Sequence, residues 1–310
     1  MSSSIMPTLE RLQQGPLSLQ TRALGAYLGL AVGDALGATV EFLTRSEIRA
    51  TYGVHREIRG GGWLALPAGA VTDDTEMSLA LGAAIIREGR FELSTIAEAF
   101  VAWLRTNPPD CGNTCRRGIQ RYLQDGSFAG PMREDDGGNG AVMRNLPVVL
   151  CSLGDDTLFT ERTLAQCHFT HHHPLSDAAA LCLGRMTSAL IQGESFETAM
   201  EFAAQLVAAQ PLFGFHGYHG PATAYVVDTV CTVLRHVSEA ESFEDAVVNT
   251  VNCGDDADTT GALTGMLAGA RYGVQGIPRR WLAALMPDVR GQVALQARKL
   301  VALSPAGCSE

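Results

Sequence analysis

The sequence predicts an all-α fold, a compact single-domain helical bundle, on three observations. No segment alternates apolar and polar residues over the length of a strand, whereas apolar residues recur at helical spacing through much of the chain. Gly25, Gly29, Gly33 and Gly37 form one ladder at four-residue spacing, and Gly261, Gly265 and Gly269 form a second. Aromatic residues make up only 6% of the chain while glycines number 33, a composition suited to helices that pack closely.

A chain of 310 residues can bury a large core, and its length alone would allow two domains, but no shift of composition divides it. One domain is therefore assigned to residues 17–303, with flexible termini at 1–16 and 304–310. The formal charge of −10 excludes a nucleic-acid backbone as the main ligand, because phosphate binding rests on a basic surface. Eight scattered cysteines without a CxxC pair read as reduced cytosolic thiols. Cys111 and Cys115 stand one helical turn apart, either in contact or as buried small hydrophobes. Residues 1–20 lack the apolar core of a signal peptide, so the expected location is the cytoplasm.

Residues 22–43 are mostly apolar and carry the first glycine ladder; Asp34 and Glu41 interrupt the run, which favours a buried helix over a membrane span. A buried Asp34 must find a partner, either a helix N-terminus or the metal region. Residues 52–67, with Gly60-Gly61-Gly62-Trp63, form a loop that could touch phosphate, act as a lid or simply turn tightly. Helical periodicity covers residues 75–88 and 94–106, the second with Ile96, Phe100 and Leu104 on one face. The stretch 107–113 breaks that helix and presents Asp110 and Asn113 on a turn. A glycine-rich loop at 134–141 leads into a helix expected near Ala141; it is either a solvated loop or a cradle for a diphosphate oxygen.

His168, His171, His172 and His173 precede Pro174 and a helix over residues 175–191, and at most one or two of them can face a site. Val226, Val230, Val233 and Val237 form a core stripe within residues 222–237. The second glycine ladder lies on a helix over residues 260–272, which can pack on the first ladder. Pro278 and Pro287 introduce two closing helices.

Two acidic stretches carry the chemistry: Thr72-Asp73-Asp74-Thr75-Glu76 and Asp255-Asp256-Ala257-Asp258-Thr259-Thr260. Each opens a helix, and Asp73 with Glu76 alone would read as a capping-box variant. Together they hold more acceptor oxygens than capping needs, and such close like charges repel unless a cation sits among them. An all-oxygen donor set suits magnesium or manganese. If the two helix starts meet, they form a two-metal site.

Gly33-Asp34-Ala35-Leu36-Gly37 with Glu41, Thr72-Asp73-Asp74-Thr75, Gly138-Asn139-Gly140-Ala141-Val142-Met143-Arg144 and Asp256-Ala257-Asp258-Thr259-Thr260-Gly261-Ala262 together resemble the ADP-ribosylglycohydrolase family over residues 22–302. Gly112-Asn113-Thr114-Cys115-Arg116-Arg117-Gly118, Thr170-His171-His172-His173-Pro174-Leu175-Ser176-Asp177 and Ala224-Tyr225-Val226-Val227-Asp228-Thr229 resemble the branch that reactivates dinitrogenase reductase, the nitrogenase iron protein, by removing ADP-ribose from an arginine. The resemblance implies an all-α fold with a dinuclear manganese centre, magnesium being the alternative ion. Its ligands would be Thr72, Asp73, Asp74, Asp256, Asp258 and Thr259, with Glu41 close by. It further implies Asp110 as the acid near the scissile bond, His171 and Asn113 in the substrate cleft, Asn139 and Gly140 at the diphosphate, and Tyr225 near the adenine. Asp255 stands where the family usually has glycine. A PII-type signalling protein and the ammonium channel would be regulatory partners, bringing reversible peripheral association with the membrane.

Cleaving an N-glycosidic bond to a guanidinium passes through an oxocarbenium-like state, for which glycosidases ordinarily use two free carboxylates. Here the expected ligands occupy most of the carboxylates, leaving Asp110 to orient the guanidinium or move a proton. Two rivals use similar residues: a two-metal phosphohydrolase, which would release phosphate or a nucleotide, and a noncatalytic ADP-ribose-binding regulator, which would show no turnover.

Overall fold

The computed structural model describes residues 5–307, which form fifteen α-helices and only isolated β-bridges. After α1 (Ile5–Gln14) the chain runs through α2 (Leu19–Gly37), α3 (Arg45–Tyr52), α4 (Asp73–Glu88), α5 (Leu93–Leu104), α6 (Asn113–Asp125) and the short α7 (Leu146–Leu150). It continues with α8 (Asp156–His168), α9 (Pro174–Ile191), α10 (Phe196–Ala209), α11 (Val226–Glu239), α12 (Phe243–Val251), α13 (Ala257–Gly276), α14 (Arg279–Ala284) and α15 (Pro287–Ala302).

The axis of the molecule is the antiparallel pair α2 and α13. Gly25 faces Gly269, Gly29 faces Gly265, Gly33 faces Gly261, and Gly37 faces Ala257; a Cβ at any of the four α2 glycines would overlap the partner backbone. Helix propensity alone disfavours four glycines in one helix, so the close approach is what retains them. Every residue of α2 from Ala23 to Gly37 is buried, as a helix apolar on all sides must be. Neighbouring helices provide that burial, and among the described residues no helix is long and apolar enough to cross a membrane. Gly273, at φ 68°, breaks α13 just beyond the residue where the sequence ends it. Because the pair is antiparallel, the C-terminal turn of α2 meets the N-terminus of α13, and the start of α4 docks at the same end.

Several boundaries differ from the sequence expectation: α2 ends at Gly37 rather than reaching residue 43, and α13 spans Ala257–Gly276 rather than 260–272. The helix expected near Ala141 begins at Leu146, after turns over residues 139–144. Pro147 lies in its first turn, where a proline's missing N–H leaves no helical bond unmade. Helix α11 starts at Val226 rather than at 222, and its valine stripe is buried as expected. Before residue 17 the chain forms α1; Leu9 is buried, and Gln13 Nε2 donates to the carbonyls of Val274 (3.1 Å) and Ile277 (3.0 Å). At the other end Ser304 is buried and Ala306 N–H donates to Leu153 O at 3.0 Å. Residues 1–4 and 308–310, Cys308 among them, lie outside the described residues. The seven described cysteines are free thiols, and burial pushes Cys111 up to about 11 and Cys115 up to about 12.

Candidate active site

The two acidic helix starts meet. Thr259 Oγ1 on α13 donates to Asp74 Oδ2 on α4 at 3.2 Å. Thr72, the N-cap of α4, makes no capping bond with its own side chain. Asp34 at the end of α2 caps instead: its carboxylate accepts from Thr72 N (3.0 and 3.2 Å), Thr72 Oγ1 (3.0 Å), Thr75 N (3.2 Å) and Thr75 Oγ1 (2.5 Å). That helix start belongs to the acidic cluster, so the two places open to Asp34 in the sequence coincide. Glu76 closes no capping box, because its carboxylate accepts from Trp103 Nε1 at 2.7 Å. Capping from a different helix leaves Asp73 and Asp74 available.

Asp73, Asp74, Asp256, Asp258 and Glu41 are all buried. Burial and then the neighbouring carboxylates push Glu41 and Asp73 each up to about 8. Burial, with the charges of surrounding acids, raises Asp74 and Asp258 well above the carboxylate range. Burial also raises Asp256, although Asn139 Nδ2 donates to its Oδ2 at 2.5 Å. A cluster so placed cannot be fully ionised without a compensating cation. Asp74 Oδ1 is buried and has no hydrogen-bond partner. Glu41, Asp110 and Asp258 each present a carboxylate oxygen, and the three atoms lie within 4.8 Å of one another. An orphaned buried carboxylate oxygen and an all-oxygen donor set fit hard divalent ions.

Above the cluster opens a cleft of about 300 Å³ lined by Glu41, Asp73, Asp110, Asn113, Asn139, Gly140, His171, Asp256, Asp258 and Thr259, with Phe42 and Ala224 among its other walls. On one side the triple-glycine segment is a tight turn, closed by Gly61 N to Leu66 O (2.7 Å) and Leu66 N to Gly61 O (3.0 Å). It presents Trp63, whose Nε1 donates to Glu41 Oε2 at 2.5 Å and whose ring lies 5.3 Å from that of the exposed Phe42. The turn after α5 is tied in through Gly112 N–H, which donates to Asp73 Oδ2 at 3.1 Å. Asn113 is the first residue of α6.

On the far side Gly138 bridges Tyr225, and Asn139 N–H donates to Ala224 O at 3.1 Å. The Asn139 side chain holds Asp256 and donates to Thr229 Oγ1 at 2.9 Å. A Cβ at Gly140 would come within 2.8 Å of Cys115 Sγ and 2.9 Å of His171 Cε1, so glycine lets the loop close on the histidine. Tyr225 is exposed and stands outside the cleft lining, beside Gly137. Thr72 and Asp74 lie beneath the lining.

Of the four histidines only His171 reaches the cleft. His168 pairs with Asp177 at 2.9 Å, His172 Nδ1 meets Gly130 O at 2.7 Å, and His173 caps α9 by accepting from Leu175 N at 3.1 Å. Asp255 has φ 53°, the left-handed region that glycine enters most easily. Its side chain turns away from the cluster and accepts from Ala222 N at 2.9 Å, while its backbone pairs with Phe42 and Leu43. Sequence reasoning missed Phe42 as a wall beside Glu41, and Trp63 as the residue that bonds Glu41 and packs on Phe42; a lone tryptophan after three glycines was the available signal.

Comparison with known proteins agrees with this arrangement. The family profile described as ADP-ribosylglycohydrolase matches residues 16–309. The chain is 51% identical to the ADP-ribosyl-[dinitrogen reductase] glycohydrolase of Rhodospirillum rubrum, covering 94% of this chain and 98% of that protein. It is 33% identical to the ADP-ribosylarginine hydrolase Tri1 of Serratia proteamaculans, over 92% of this chain and 80% of the relative. A solved structure titled "ADP-ribosylglycohydrolase-related protein complex" superposes with a TM-score of 0.82 at 32% identity, covering 92% of this chain and 99% of that one.

Proposed function

Because the chain belongs to the ADP-ribosylglycohydrolase family, we propose that it hydrolyses the N-glycosidic bond between ADP-ribose and an arginine of a target protein, the target being dinitrogenase reductase. The observation that carries this reading is the meeting of the two acidic helix starts at the floor of a cleft, with Asp74 Oδ1 left without a partner. The catalytic unit is residues 17–303.

Asp73, Asp74, Asp256 and Asp258, with the hydroxyls of Thr72 and Thr259, would hold two manganese ions, magnesium being the alternative. Bound there, such ions supply fixation of the ribose diol, activation of water and stabilisation of developing charge. Glu41 and Asp110 work at the same end of the cleft. The Asp110 carboxylate orients the guanidinium and handles its proton, a role supported by its half-buried place beside Glu41 and Asp258. Asn113, Asn139, Gly140 and His171 bind the ADP-ribose, and Tyr225 receives the adenine at the rim. A PII-type signalling protein and the ammonium channel are proposed as regulatory partners of an otherwise cytoplasmic enzyme.

The test is incubation with arginine-ADP-ribosylated dinitrogenase reductase, with and without manganese, and mass analysis of what is released. Intact ADP-ribose and unmodified arginine, formed only with the cation, are expected. Release of phosphate or AMP would favour a phosphohydrolase, and tight ADP-ribose binding without turnover would favour a regulator.

A further inference from the structure

Arg144 is completely buried yet, among the described residues, has no carboxylate partner. Its guanidinium lies over the Phe100 ring at 4.8 Å and donates to Gln166 Oε1 (2.9 Å), Gln166 O (3.0 Å), Cys115 Sγ (3.5 Å) and Thr170 Oγ1 (2.7 Å). Thr170 Oγ1 in turn lies 2.8 Å from His171 Nδ1. A buried cation without a counter-charge relies on its hydrogen bonds to offset the cost of desolvation, so those bonds hold their acceptors in fixed places.

The donor inventory fixes the direction of the chain. A guanidinium can only donate, so the Thr170 oxygen accepts from Arg144. The oxygen's second lone pair could accept from an Nδ1–H as well, but the hydroxyl's one proton would then be buried without an acceptor, since His171 Nδ1 is the remaining polar atom recorded against it. That proton therefore goes to Nδ1, which must carry its lone pair, and the ring proton is left on Nε2. We propose that Arg144 and Thr170 are positioning residues that hold His171 as the neutral Nε2–H tautomer, making it a fixed hydrogen-bond donor to an oxygen of the bound substrate.

The surroundings of Nε2 agree. A Cβ built at Gly138 or at Gly140 would come within 3.2 Å of Nε2, so the two glycines keep its approach clear, and the ring lines the cleft. The charge of Arg144 also opposes a second proton on the ring, adding to the effect of burial. In this tautomer Nε2 has no lone pair to act as a base, and losing its proton would leave an imidazolate. His171 thus binds rather than transfers protons, leaving proton transfer to the carboxylates.

The assignment of the acceptor to ADP-ribose rests on the proposed function; the tautomer does not. The test is a long-range ¹H–¹⁵N correlation spectrum of the ¹⁵N-histidine protein, with His171 identified by loss of its signals in His171→Gln. Nδ1 is expected to be unprotonated and Nε2 protonated at neutral pH. Thr170→Val should admit an Nδ1-protonated population and raise KM for an ADP-ribosylated arginine substrate roughly tenfold, the loss of one hydrogen bond to a charged group, with kcat within about twofold. Thr170→Ser should restore both. A protonated Nδ1 in the unsubstituted protein overturns the proposal, as does Thr170→Val with tautomer and KM unchanged. Should Thr170→Val not fold, the spectrum of the unsubstituted protein decides alone. Absence of hydrolysis by the unsubstituted protein would refute the proposed function while the spectrum still decided the tautomer.

Discussion

Replacing Asp34 with alanine tests whether one helix caps another from across the core. The substitution removes the acceptor shared by Thr72 N, Thr72 Oγ1, Thr75 N and Thr75 Oγ1. Thr72 Oγ1 can turn to Asp74 Oδ2, which it already meets at 3.2 Å, so three donors are left buried and unpaired. At about 1–3 kcal/mol for each unsatisfied group, offset by relaxation and water entry, the expected loss is about 3–5 kcal/mol. That is a large fraction of the roughly 5–15 kcal/mol that stabilises a typical domain. Asp34→Asn, which keeps one acceptor oxygen, should lose about half as much. Urea unfolding is measured in excess chelator and again in saturating manganese. A cap acts in both conditions, whereas an acid that only ligates metal matters only when metal is present. A loss below about 1 kcal/mol in chelator, within the spread of ordinary substitutions, would refute the capping role.

The remaining predictions follow from the same geometry. Glu41 and Asp73 have folded pKa values raised to about 8, so between the unfolded carboxylate range and that value the folded state holds more protons than the unfolded one. The metal-free protein should therefore lose stability as pH rises from about 4 to about 8, and manganese should raise Tm more at the upper end; a metal-free Tm that climbs over this range contradicts the reading. Asp110→Asn should lower kcat by about 10²-fold while affinity for free ADP-ribose, which lacks the guanidinium, is kept. Near-normal turnover would return Asp110 to a structural part. Gly265→Ala gains about 1 kcal/mol of helix propensity but drives a methyl group into the backbone at Gly29, so thermal unfolding should show a net loss of about 2 kcal/mol or more.

How much was legible in the sequence depended on whether the signal was local. The two ladders announced the α2–α13 contact because four-residue spacing puts glycines on one helix face whatever surrounds it. The acidic helix starts were readable to within about three residues, and the expected end at 272 falls next to the break at Gly273, beyond which α13 continues to Gly276. Long-range partners were not readable. Asp34 was recognised as needing a partner, but nothing near it in the sequence identified Thr72 and Thr75 as its donors. Asp110 lies outside both acidic motifs in the sequence, and only the family resemblance put it near the scissile bond; the fold brings it beside Glu41 and Asp258, because a chain break such as 107–113 does not by itself reveal where it points. The helix misplaced at Ala141 shows apolar periodicity outweighing Pro147, the residue that fixes the true start. Nothing local in the sequence showed that the Asn139 side-chain amide is held by Thr229 and Asp256, partners 90 and 117 residues away.

The central claim is that the starts of α4 and α13 together make one dinuclear cation site, and an anomalous difference map from crystals grown with manganese tests it most directly. Two peaks are predicted between those helix starts, one of them in contact with Asp74 Oδ1. A map with no peak there, or with manganese bound only elsewhere on the acidic surface, would contradict it.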